Sequence, residues 1–169
     1  MQIFPVPVTQ KSAHIPAPSA ERWYSIGTAA RILGVSVPTI RLYEREGLIL
    51  PYRKPSGHRL FSDSDLERIL CLRRTINEKK ISIAGIRTML SMVPCWSLMG
   101  CPPEAHSSCK AVTTIGSPCW TLTSKPWQCG TAECRECAVY QRVSDCDSLK
   151  HAIARLTLAY SSPTPDPTP

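Results

Sequence analysis

The chain has 169 residues, 20 lysines and arginines against 13 acidic residues, and nine cysteines. That length suits one compact domain or two small ones and excludes a large enzyme. No apolar run reaches the ~18 residues a membrane span requires, and MQIFPVPVTQK lacks the basic start and apolar stretch of a secretory signal, so a cytoplasmic protein without a membrane partner is expected.

Pro5, Pro7, Pro16 and Pro18 interrupt residues 1–22, and SSPTPDPTP ends the chain. Neither stretch can sustain a helix or a central strand, so 1–22 and 161–169 read as disordered tails. Between them the charge is uneven. Residues 23–90 hold twelve basic and six acidic side chains, which is nearly the whole net charge of +7. A concentrated basic block raises affinity for a polyanion, nucleic acid being the commonest, although a basic surface can also serve solubility alone. Cysteine is distributed the opposite way: only Cys71 lies in the basic block, where it reads as a small buried apolar residue.

The basic block reads as helix, turn, helix, hairpin, helix, helix. Ser25 caps a helix with Ile26, Ala29, Ala30 and Leu33 on one face, and Gly34 stands where a left-handed C-terminal residue is wanted. Ser36 caps a second helix, with Pro38 in its first turn, that stops at Gly47. Two short helices joined by Gly-Val-Ser match the helix-turn-helix pattern, whose second helix enters the major groove. Arg41 and Arg45 lie four apart on that helix, with Ile40 inward. Glu44 and Glu46 flank Arg45 and can hold it in local ion pairs. Residues 48–61 then form two extended runs around Pro55-Ser56-Gly57, a small wing carrying Arg53, Lys54, His58 and Arg59 for phosphate contact. Ser62 caps a third helix, with Asp65 completing a capping box and Leu66, Ile69, Leu70 and Ile76 as its buried face. Ser82 opens a fourth with Ile83, Ile86 and Leu90.

The run YSIGTAARILGVSVPTIRLYEREGLILPYRKPSGHRLFSDSDLERI closely resembles the winged-helix DNA-binding domain of the MerR family of transcriptional regulators, through SIG…A..LGVS, IRLYEREGLI, GHRLFS and DLERI. The resemblance implies a dimeric regulator on a pseudo-palindromic promoter site, distorting the DNA when an effector binds, with RNA polymerase as a further partner. It places Thr39, Arg41 and Tyr43 on the recognition helix and Arg53, Lys54, His58 and Arg59 on the wing as DNA contacts; Tyr43 has packing as its alternative role. His58 and Leu42 depart from the pattern, since aromatic residues are common at both positions, and both bear on affinity or half-site preference.

The remaining cysteines form the sensor candidate. Cys95, Cys101, Cys109, Cys119, Cys129, Cys134 and Cys137 fall within 43 residues, and Cys134-x2-Cys137 has the spacing of a metal knuckle. A reducing compartment does not normally keep such a set as disulfides, and seven bare thiols invite oxidation, so an iron–sulfur cluster, favoured, or zinc is expected. Pro-Cys-Trp recurs at 94–96 and 118–120, and Cys134 to Tyr140 reads CxxCxVY; these features resemble the two-CW cysteine-rich module of some bacterial signalling proteins. Trp96 and Trp120 read as core in preference to shields of a cluster. His106 reads as a surface residue in preference to a ligand, and the part played by Cys146 stays open.

Pro94 interrupts the position where MerR-type regulators continue into a dimerisation helix. Val139, Val143, Cys146, Leu149, Ile153, Leu156 and Tyr160 recur every three or four residues, a helical stripe that either forms a two-helix seam or packs onto its own cysteine module. The expected architecture is mainly α: a winged helix-turn-helix DNA-binding domain at 23–93, a small cysteine-rich metal-binding module at 94–140 and a C-terminal, candidate dimerisation helix at 141–160. The expected function is non-enzymatic: a promoter-binding homodimer that responds to a cysteine-ligated centre. The alternatives are a passive zinc or protein-docking module, and a thiol oxidoreductase using Cys134 and Cys137. The oxidoreductase lacks the surrounding βαβ pattern it would need.

Overall fold

The computed structural model describes residues 22–122, 129 and 133–143. Most of both expected tails and the stripe beyond Val143 therefore lie outside the described residues. Serines start the first four helices. Ser25, Ser36, Ser62 and Ser82 accept backbone N–H groups from Thr28, Thr39, Asp65 and Gly85, opening α1 (Ile26–Leu33), α2 (Val37–Arg45), α3 (Asp63–Asn77) and α4 (Ile83–Ser91). Each such cap stabilises its helix by about 1 kcal/mol. At Ser62 the box is closed in both directions, since Asp65 Oδ2 accepts the Ser62 N–H at 2.8 Å. Gly34 ends α1 at φ +60°, the left-handed turn its lack of a side chain permits.

The wing is a hairpin of β2 (Tyr52–Arg53) and β3 (Arg59–Ser62). A third strand, β1 (Trp23–Ser25), pairs antiparallel with the far side of β3, giving the order β1-β3-β2. The sequence signals only the cap at Ser25; the strand exists because Tyr24 faces Phe61 across the ladder and its hydroxyl donates to Asp63 at 2.8 Å.

Ile40, Leu48, Ile49, Phe61 and Ile69 are fully buried and form the centre of the core. On α3 the buried stripe is Leu66, Ile69 and Leu72 with Arg68, while Leu70, expected inward, is 46% exposed. At about 100° per residue, positions 65, 68, 69 and 72 share a face and 70 turns away from it. Cys71 is also a correction: it is half-buried and disulfide-bonded.

The helix interruption at Pro94 is real. α4 closes at Met92, and Pro94 precedes α5 (Cys95–Met99); the chain continues through a single 3-10 turn at Pro103–Ala105, α6 (Lys110–Thr113), 3-10 turns at Cys119–Thr121 and Cys134–Glu136, and α7 (Ala138–Arg142). Short helices with little apolar surface cannot stand alone. Here Trp120, Val139, Tyr140 and Val143 enter the same apolar cluster as Ile40, Leu48 and Ile69, so the core runs across the expected boundary. Val139 and Val143, the first members of the predicted stripe, are 2% and 7% exposed within that cluster. They serve the intramolecular core, and α7 ends at Arg142.

Candidate nucleic-acid interface and thiol-lined cavity

Arg41, on the exposed side of α2, faces Lys54, His58 and Arg59 of the wing across one open concavity that Ser25 and Ile26 complete. Two physical devices hold it. Lys54 N–H donates to His58 O and Gly57 N–H to Lys54 O, closing the wing turn with Gly57 at φ +80°. Glu44 of α2 is clasped by two wing arginines, Arg53 at 2.5 Å and Arg59 Nε at 2.6 Å. Charge-assisted bonds of this length fix orientation. Glu44 therefore ties helix to wing, and does not hold Arg45 as the local spacing suggests. Arg45 instead lies 3.9 Å from Glu46, whose other oxygen receives Arg87 of α4 at 3.1 Å.

The predicted DNA contacts divide. Arg41, Lys54, His58 and Arg59 share the concavity, and Arg53 flanks it through Glu44. Thr39 sits in the first turn of α2, its hydroxyl 2.8 Å from that of the cap Ser36. Tyr43 is only 5% exposed and packs in the core, where burial pushes its hydroxyl above the ordinary range, an environment that favours packing, the alternative left open by the sequence.

The cysteines also converge. Cys95, Cys101, Cys109, Cys119, Cys129 and Cys137 line one cavity with Met99 and His106. Cys134 lies close enough to repel the charge on Cys119 and Cys129. All seven are free thiols, half-buried. Burial, aided by the neighbouring thiols, pushes Cys95 up to about 11 and Cys119 up to about 12, and raises Cys129. Left to themselves these groups are neutral at pH 7, and a bound cation would reverse the preference by stabilising thiolates. The donors are sulfur and imidazole with no carboxylate among the described lining residues, a set that suits soft metals over magnesium or calcium. Among the described residues no three of these groups meet at one point close enough to hold a single ion. His106, expected at the surface, lines the cavity, its Nε2 3.3 Å from Cys101 O and its ring 5.6 Å from Trp96. Trp96 borders the cavity as well, whereas Trp120 is core.

Sequence reasoning missed how this segment meets the joint between α2 and the wing. Residues 46–51 join α2 to the wing, and their backbone is held by side chains. Trp120 Nε1 donates to Gly47 O at 2.7 Å, Arg68 Nε to Leu48 O at 2.8 Å and Arg135 to Leu50 O at 2.5 Å. The Leu50 N–H donates to the Tyr140 hydroxyl at 2.8 Å. Gly47 is at φ +70°, and the Thr121 methyl fills the place of its missing Cβ. Arg135 also forms a two-pronged pair with Asp65, at 2.9 and 2.7 Å, and donates to Ser62 Oγ. Arg68, 3% exposed, donates to Tyr140 O and stacks 4.1 Å over its ring. The available sequence signals were slight: Arg135 is a lone cation inside the CxxC, and Arg68 falls on the buried stripe of α3.

Comparison with known proteins bears on the first part of the chain. Residues 24–93 match the MerR HTH family regulatory protein family. The HTH-type transcriptional regulator MlrA of Salmonella typhimurium is 35% identical over 69 residues, 40% of this chain and 28% of MlrA. The HTH-type transcriptional repressor CarH of Myxococcus xanthus is 42% identical over 60 residues, 35% of this chain and 20% of CarH. The ZntR homolog of Haemophilus influenzae, an HTH-type transcriptional regulator, is 37% identical over 70 residues, 40% of this chain and 50% of that protein. The chain thus spans half or less of the length of these relatives. No solved structure matches it. Among the described residues no helix is long and apolar enough to cross a membrane.

Proposed function

Residues 24–93 are a MerR-family helix-turn-helix domain, and from that premise we propose that the protein is a transcriptional regulator that binds promoter DNA as a homodimer and responds to a soft-metal centre held by its cysteines. The observation that carries the DNA-binding half is the concavity where Arg41 of the second helix faces Lys54, His58 and Arg59 of the wing. Cations on a recognition helix and an adjacent wing fit one groove and its bordering phosphates together. RNA polymerase, recruited beside the bound dimer, is the further partner of this reading.

The sensing half rests on the thiol cavity. Cys95, Cys101, Cys109, Cys119, Cys129 and Cys137 would hold the centre, with Cys134 and His106 beside them. A single zinc needs four donors about 2.0–2.3 Å from one point. Thiols spread around a cavity wall favour a polynuclear iron–sulfur cluster, and the relatives include a probable heavy metal-dependent transcriptional regulator of Haemophilus influenzae. Such a cluster supplies a change of charge and stability on oxidation. The protein's own residues supply burial, soft donors and a position beside the joint that follows α2.

The test is anaerobic purification, followed by iron, sulfide and zinc analysis and binding to duplexes selected from a random pool. Iron with sulfide and tight duplex binding are expected. Stoichiometric zinc without iron would replace the redox centre by a structural scaffold, and absence of duplex binding would remove the regulator.

A further inference from the structure

The segment carrying the thiols grips the joint between recognition helix and wing, and its grip residues are neighbours of the thiols themselves. Trp120 follows Cys119, Arg135 follows Cys134, and Tyr140 is on the first turn after Cys137. We infer that Trp120, Arg135 and Tyr140 are positioning residues through which the state of the thiol cavity sets the angle between recognition helix and wing. This rests on the reading of the thiols as a sensing centre.

The links are short. Cys119–Thr121 and Cys134–Glu136 are each one 3-10 turn, closed by Leu122 N–H donating to Cys119 O and Cys137 N–H to Cys134 O. A ligand that draws Cys119 or Cys134 inward therefore moves Trp120 or Arg135 with it. Those side chains act on backbone atoms directly: Trp120 on Gly47 O and Arg135 on Leu50 O, with Tyr140 accepting from Leu50 N. Gly47 offers no side chain as a cushion, and Thr121 packs against its bare Cα. The rings of Trp120 and Tyr140 also meet edge to face at 5.2 Å, so the grips move as a set.

At the far end of the joint, Glu44 of α2 holds Arg53 and Arg59 of the wing. A changed joint angle alters that clasp, and with it the spacing between Arg41 and Arg59 across the concavity. Buried backbone groups need their partners, so residues 47–50 have discrete settings in preference to a continuum. A segment with two settings, each favoured by one state of the cavity, is what coupling between two sites requires.

The full chain, reduced and anaerobic, is titrated with cadmium as a thiophilic probe. Binding is read by sulfur-to-cadmium absorption and duplex affinity by fluorescence anisotropy. The wild type should change its duplex affinity within about the 5- to 150-fold range typical of coupled sites. The double variant Trp120→Phe with Tyr140→Phe keeps an aromatic ring at each position and all seven thiols, and removes the indole N–H and the phenol hydroxyl. It should take up cadmium equally and lose most of that change. An undiminished change in the variant overturns the inference and leaves the sensing reading intact. A wild type that takes up cadmium with no change in affinity overturns both. Should the variant fail to fold, the indole N–H resonance of Trp120 in the wild type decides: it must shift on cadmium binding, and an unmoved resonance overturns the inference.

Discussion

Arg135→Met is the sharpest probe of the shared core. Arg135 belongs to the cysteine segment, yet its guanidinium forms the two-pronged pair with Asp65 at the start of α3. The side chains are 15% and 4% exposed. Methionine keeps the stem volume and leaves Asp65 buried with the Ser62 N–H and hydroxyl as remaining donors. Breaking a buried pair from one side costs about 3–5 kcal/mol, and the donors left on Asp65 put this case near about 3 kcal/mol. The matched control is Arg53→Met. Its partner is the carboxylate Glu44, but its own side chain is 55% exposed, so the cost should stay below about 1 kcal/mol. Guanidinium unfolding followed by helical circular dichroism and by tryptophan fluorescence measures both. Because Trp120 and Ile69 occupy one cluster, the two signals should shift together. A loss under about 0.5 kcal/mol for Arg135→Met, or a fluorescence transition that moves while the helical one stays, would refute the single core.

Three other expectations follow from the same geometry. Gly47→Ala and Gly34→Ala both force a left-handed alanine, at about 1–2 kcal/mol; Gly47→Ala also collides with Thr121, so it should be clearly the more destabilising of the two in the same unfolding experiment. Ile69→Ala should cost about 2–5 kcal/mol, whereas Leu70→Ala, at a position 46% exposed, should cost much less; equal costs would contradict the assigned face of α3. Arg41→Ala with Lys54→Ala should weaken duplex binding and lower the magnitude of the salt slope by roughly 0.9 for each phosphate no longer neutralised, read from affinity against salt concentration; an unchanged slope would remove the concavity from the interface.

The winged unit was legible because its signals are local. Each serine cap lies three residues from the N–H it accepts, and Gly34 and Gly47 mark helix ends at the chain positions where they occur. The cysteines were legible as a chemical set because sulfur density needs no geometry to be noticed. Long-range contacts left little trace. The bonds from Trp120, Arg135 and Tyr140 to residues 47–50 span 73 to 90 positions. β1 is three residues long and exists only because β3 pairs with it. Arg68 falls on the buried stripe of α3, but nothing local names its partners, Leu48 O and Tyr140 O, which lie 20 and 72 positions away. Tyr43 shows the opposite limit: position within a motif pointed to the groove, and burial placed it in the core. The stripe from Val139 was periodic enough to suggest a seam, but periodicity does not say which partner covers an apolar face.

On the proposed reading, a DNA-binding concavity and a thiol-held centre are joined through one core, and a change at one should alter the other. Footprinting on a selected duplex, with anaerobic and oxidised portions of one preparation and their iron content measured alongside, decides whether they do. The protected region or its hypersensitive positions should change as iron is lost, with reduced protein iron-loaded. Identical footprints from iron-loaded and iron-free protein would show two halves that act independently, and the coupling would fall.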